Sequence, residues 1–216
     1  MPRLIDLSLP LEHGQATFPF DPKLSIVTHN TTTSIGYNIT QISMSTHQGT
    51  HLDAPRHFFD DGTPVDEIPL ERFFGEAVLV DLAPGSALEP KQPITREMFQ
   101  VHAEHFHPGA KIVYRTGWDR AFGRPEYYSD FPSLSLEAAE WIAARRIGLL
   151  GMDTPTPGTQ WKEIHHALLG AGIEIVVVEA MANLELLPTR FTLAAFPLRI
   201  KGRDGSPIRA VAIIEP

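Results

Sequence analysis

Four side chains able to hold a metal ion, His47, His51, Asp53 and His57, fall inside the stretch STHQGTHLDAPRHFF that runs from Ser45 to Phe59. Neutral imidazole nitrogens and a carboxylate are the ligands that a divalent ion such as zinc accepts, and three protein ligands plus water form the usual catalytic set. A lone histidine is more often packed or solvated than bound to metal; four donors at this density favour an ion. All four have odd numbers, so an extended chain would turn them to one side, whereas a helix would spread them and could not hold Pro55 internally. A straight strand, however, would set His47 ~13 Å from His51, too far to share an ion. The chain must therefore fold back between them, and Gly49, midway, is the residue free to adopt the positive φ of such a bend. The two oxygens of Asp53 could also bridge two ions.

The elements that must position these groups follow from hydrophobic patterning. Leu4 to Leu9 alternates like a half-buried strand, and Gly14, Pro19 and Pro22 then mark a loop that carries Phe18 and Phe20. Ser25–His29 and Tyr37–Met44 form two strands, the second feeding the ligand run directly. Apolar runs at Ala77–Leu82, Lys111–Thr116, Arg146–Met152 and Ile173–Val178 predict strands covered on both faces. Helices are expected between them over Arg96–Phe106 after a Thr95 cap, Leu136–Arg145 after a Ser135 cap, and Trp161–Leu169. Phe191–Ile200 and Ile208–Ile214 predict a closing hairpin turned through Gly202, Asp204 and Gly205. Ile68–Phe74 reads as a short helical turn or loop.

A second group of donors lies far along the chain. His165 and His166 sit on the Trp161–Leu169 helix, and the apolar strand Ile173–Val178 runs into Glu179. An ionised glutamate ending a buried strand needs a cation or hydrogen-bond donors, unless it emerges into solvent. His102, His105 and His107 read as surface. Trp118 reads as core or cavity wall, and Asp153 as a turn-former or a partner of Arg115.

Composition bounds the rest. With 216 residues, 43% of them hydrophobic, the chain is long enough for one domain spanning 1–216. A net charge of −8 without a basic cluster argues against nucleic acid and anionic membranes as partners, and the absence of cysteine excludes disulfides and thiolate sites. No signal-peptide pattern or membrane-length apolar run is present, so a cytoplasmic protein is expected.

The segment HQGTHLDAPRHF resembles the HxGTHxDxPxH signature of the cyclase-like metal-dependent hydrolases, a family that includes arylformamidases and isatin hydrolases. IDLSLPL near the start, RTGW at Arg115–Trp118, GMDTP at Gly151–Pro155 and HHALLGAGIEIVVVE at His165–Glu179 extend the likeness over most of the chain. The resemblance implies a mixed α/β domain of the swivelling β/β/α type. It implies one or two zinc ions, with manganese as the alternative, held by His47, His51, Asp53, His57, His165 and Glu179. His166 is the rival of His165, and a glutamate rather than glutamine at position 179 points to the two-metal form. The implied reaction is attack of metal-activated water on a small aryl formamide of the N-formylkynurenine type, releasing formate and an amine. His57 is the acid and base if only one ion binds, and Phe18, Phe58 and Trp118 are substrate contacts, with Phe59 and Trp161 as further walls. Isatin-like lactams, other cyclic amides or esters are alternative substrates, and a catalytically silent metal-binding or assembly protein is the alternative of another class. The resemblance also implies a homo-oligomer, dimer or tetramer.

Overall fold

The computed structural model describes residues 1–215. Its strands are β1 (Arg3–Asp6), β2 (Ser25–Asn30), β3 (Ile39–Ser43), β4 (His51–Asp53), β5 (Phe74–Asp81), β6 (Pro93–Ile94), β7 (Lys111–Arg115), β8 (Ser133–Leu134), β9 (Leu149–Met152), β10 (Val176–Glu179), β11 (Arg190–Ala194), β12 (Gly205–Pro207) and β13 (Val211–Ile214). The helices are α1 (Thr32–Ile35), α2 (Arg96–Gln100), α3 (Leu136–Ala143) and α4 (Trp161–Leu169). Nine strands join in one curled mixed sheet, ordered β1-β13-β11-β5-β7-β9-β10-β4-β12. β5, β7, β9 and β10 are mutually parallel at its centre, and the flanking pairs are antiparallel.

The central strands are apolar throughout because successive residues bury into different cores. Val78, Val80, Ile112, Tyr114, Leu150, Met152 and Val177 pack with Phe99, Ile142 and Leu168 on the helical side. Ala77, Leu79, Val113, Leu149, Val176 and Val178 face the other way, where the curl of the sheet brings in Leu7, Phe73, Leu193 and Ala212. Ser135 caps α3 as expected, its hydroxyl accepting from the Ala138 amide at 3.2 Å.

Three expectations are corrected. The helix over Arg96–Phe106 breaks after Gln100, because His102 (φ −117°, ψ 19°) leaves helical geometry and a separate 3-10 turn follows at Ala103–His105. The last two long strands do pair, β11 with β13, but their connection is no simple turn. Gly205–Pro207 crosses to the far edge of the sheet and adds β12 beside β4, so the strand expected from Ile208 begins only at Val211. Arg115 pairs with Asp81 at 2.8 Å, while Asp153 instead accepts from Thr116 and Gly117.

Candidate metal centre

Register builds the site. Glu179 lies opposite His51 and Val177 opposite Asp53 across β10 and β4, so the three polar side chains share the sheet face that looks toward α4. Leu52, between the two ligands, points into the opposite core and is fully buried. On α4, His165 occupies the inward face with Ile164, Leu168 and Leu169, and so meets the carboxylates; His166 is exposed. That separates the two rivals by placement. The bend before β4 occurs at Gly49, with φ +64°, where a Cβ would also come within 2.7 Å of Leu11 Cδ2. It returns His47 over the sheet. His57 ends the 3-10 turn Pro55–His57, its ring stacked on that of His47 at 3.9 Å between centroids.

All six expected donors therefore converge. Asp53 Oδ1 lies 2.8 Å from His47 Nδ1 and 3.4 Å from His51 Nε2, and Oδ2 lies 3.4 Å from His165 Nε2. Glu179 reaches His51 at 3.3 Å and His165 at 3.2 Å. His47 and His51 both face Asp53 Oδ1, while His165 faces Oδ2. Two sets of donor atoms lie within 4.8 Å of one another, His47–Asp53–His57 and His51–Asp53–Glu179, and Asp53 belongs to both.

The donor chemistry fits a divalent ion. Asp53 and Glu179 are 0% and 4% exposed, and the buried Asp53 Oδ2 has no hydrogen-bond partner in the protein. A buried carboxylate oxygen left so is costly unless a cation meets it. Backbone carbonyls set two of the imidazoles: His51 Nδ1 donates to Gly49 O (2.9 Å) and His165 Nδ1 to Trp161 O (2.6 Å), which leaves each Nε2 facing the carboxylates. Burial alone would lower the histidine pKa values. The carboxylates outweigh it and, without metal, raise His47 to about 9 and His165 to about 10, with His51 also well above the ordinary value. For His57 burial prevails, and its pKa lies below the ordinary 6.5.

Above the donors opens a cavity of about 240 Å³ with Phe18, Phe20, Phe58, Tyr128 and Trp161 among its walls. Phe18 and Phe58, named from sequence, are there. Trp118 is not among the lining residues: it is buried against Leu9, Tyr127 and Phe131 and its indole nitrogen donates to Tyr127 O at 3.0 Å. Phe59 likewise packs into the helical core. Tyr128, Asp21 and Thr156 line the cavity without having been singled out, and no local signal marks them. Asp204 was read as part of a turn, yet it contacts His47 directly.

Fold and donor set together define a cyclase-like metal-dependent hydrolase. The chain belongs to the Cyclase family, whose model matches residues 5–159. A kynurenine formamidase of Bacillus cereus is 31% identical over 215 residues, covering 96% of this chain and 95% of its own. One from Erythrobacter litoralis is 28% identical over 213 residues, covering 97% and 93%. Isatin hydrolase A from Labrenzia aggregata, solved with benzyl benzoate, superposes with a TM-score of 0.87 at 27% identity, over 100% of this chain and 94% of that one. With such relatives and this site, the chain is a metal-dependent amide hydrolase acting on C–N bonds other than peptide bonds. No helix among the described residues is long and apolar enough to cross a membrane.

Proposed function

We propose that the chain hydrolyses a small aryl formamide of the N-formylkynurenine type, with zinc held by His47, His51, Asp53, His165 and Glu179 and His57 handling protons. The observation that carries this reading is the convergence of His47, His51, His165 and Glu179 around Asp53 at the floor of an aromatic-walled cavity. A bound ion supplies a Lewis acid and lowers the pKa of its water to ~7. The chain's own groups supply the rest. Phe18, Phe58 and Trp161 offer faces and edges to an aryl ring and keep bulk water away from it. His57, kept neutral at pH 7 by its burial, accepts a proton from the attacking water and returns it to the leaving nitrogen as the C–N bond breaks. Formic acid and the free amine result, the acid giving its proton to solvent to become formate, and His57 ends as it began.

A second reading, hydrolysis of isatin-like lactams, is favoured by one feature: neither Lys nor Arg lies among the lining residues, so a substrate bearing a free carboxylate finds no guanidinium or ammonium partner there. Purified protein stripped by chelator and reloaded separately with zinc and with manganese distinguishes the two when given N-formylkynurenine and isatin. We expect no turnover without metal, recovery with zinc, and kcat/KM at least about tenfold higher for the formamide, an arylamide preference worth ~1.4 kcal/mol in the barrier. Faster isatin turnover replaces the substrate. Full activity in chelator removes the metal reading, and a chain that folds, binds zinc and turns over neither compound supports the silent alternative.

We also propose a homo-oligomer. The β2–β3 hairpin pairs only with itself, and it and its connection leave Val27, Ile35, Tyr37, Ile39 and Ile42 exposed. A lone two-stranded ribbon is marginal in water, and a second copy covering it would bury this apolar surface. Sedimentation equilibrium should return at least the mass of a dimer, and Ile42→Asp should shift the chain toward monomer; a monomeric parent sinks the idea.

A further inference from the structure

His47 is set differently from the other imidazoles. Its Nδ1 faces Asp53, and its Nε2 lies 2.6 Å from Asp204 Oδ2. We propose that Asp204 is a positioning residue of the metal centre: it accepts a hydrogen bond from the Nε2–H of His47, fixes that tautomer, and so presents Nδ1 as the metal-binding nitrogen. This inference rests on the metal-dependent reading above.

Three features hold the carboxylate where this role needs it. Thr46 Oγ1 donates to the same Oδ2 at 2.9 Å, and the Asp204 carbonyl accepts from the Ala54 amide at 2.8 Å. The next residue starts β12, in register with Asp53. At Gly205 there is no room for a side chain, because a Cβ would sit 2.6 Å from Leu52 O and 2.8 Å from His47 Cε1. The backbone thus abuts one edge of the imidazole while the carboxylate takes its outer nitrogen. His51 and His165 receive the same service from backbone carbonyls, which no substitution removes; only His47 depends on a side chain for it. A carboxylate on the outer nitrogen orients the ring and makes the inner nitrogen a better donor, and losing such a partner typically weakens metal binding 10- to 100-fold. The crossing of Gly205–Pro207 to the edge of β4 therefore serves the site.

The test is zinc affinity of the stripped protein, by competition against a chromophoric chelator, for the parent, Asp204→Asn and Asp204→Ala. We expect the His47-bound ion to be held about 10- to 100-fold more weakly in Asp204→Ala and by an intermediate factor in Asp204→Asn, whose amide oxygen still accepts a hydrogen bond. A second ion, held without His47, should change less than about threefold. Nitrogen-15 spectra of the zinc-loaded parent decide the point without any variant: they should show His47 protonated on Nε2. Zinc bound through Nε2, or Asp204→Ala holding all its zinc within about twofold of the parent, overturns the inference while leaving the metal centre intact. A parent that takes up no zinc overturns both.

Discussion

Replacing Asp53 with asparagine should abolish turnover and metal binding together. Asp53 is the donor that both ligand sets share, so the neutral amide removes the one anion lying between them. Metal Lewis acidity supplies several kcal/mol of transition-state stabilisation, and at ~1.4 kcal/mol per tenfold a loss of about 5.5 kcal/mol is about 10⁴ in kcat/KM. The fold suffers too. Burial alone would raise the pKa of Asp53, yet the surrounding imidazoles of His57, His47 and His165 hold it well below the ordinary carboxylate value. Removing one partner from a buried charged cluster costs roughly 3–5 kcal/mol, so the metal-free variant should unfold at a clearly lower temperature than the metal-free parent. His57→Asn provides the contrast. If His57 moves protons, that variant keeps its zinc and loses about 10²- to 10⁴-fold in kcat. Metal content by atomic absorption, measured beside kcat, checks both. Asp53→Asn carrying the parent's zinc contradicts the shared-ligand assignment, and His57→Asn emptied of an ion makes His57 a ligand instead.

How much of this was legible in the sequence depended on whether the cause was local. The bend at Gly49 could be read because two histidines four residues apart cannot share an ion along a straight strand, and the glycine between them is the cheapest place to turn. The central strands were readable because residues buried on both faces leave unbroken apolar runs, and Glu179 was conspicuous because a carboxylate ended one of them. The placement of Glu179 beside His51 was not readable. It arises from strand register, His51 opposite Glu179, which depends on pairing between segments more than a hundred residues apart. Asp204 failed for the same reason: beside Gly202 and Gly205 it has the composition of a turn, and nothing near it in sequence tells that β12 crosses to β4. Trp118 errs in the other direction. An aromatic at the end of a central strand was a reasonable cavity wall, but Tyr127 supplies an acceptor for its indole nitrogen and draws the ring into a small core of its own.

Zinc affinity should climb steeply with pH, because the metal must displace protons that the empty site holds. Imidazole binds metal only through an unprotonated nitrogen. Burial opposes charge on His47 and His165, but the carboxylates around them prevail and raise their pKa values to about 9 and about 10, with His51 well above 6.5 in the same direction. All three therefore carry a proton at neutral pH in the metal-free chain. Loading both ions must expel these three protons, so the overall apparent affinity should rise about 1,000-fold per pH unit between pH 6 and 7.5. Titration calorimetry in buffers of different ionisation heat counts the same protons, about three for two ions. The sign for stability is the reverse. Histidines whose folded pKa exceeds the unfolded value contribute fully below about pH 6.5, and that contribution is lost as pH rises through 9 and 10. Asp53 and Asp204, whose pKa values are lowered, contribute above about pH 4 and lose their effect as pH falls. The stripped chain should accordingly melt at its highest temperature between about pH 5 and 7 and at lower temperatures toward pH 10, whereas the zinc-loaded chain gains over that same interval because its ligands then bind the ion without competition. A zinc affinity that is flat from pH 6 to 7.5 would mean that the empty site carries no imidazolium, and that the carboxylates are neutralised some other way.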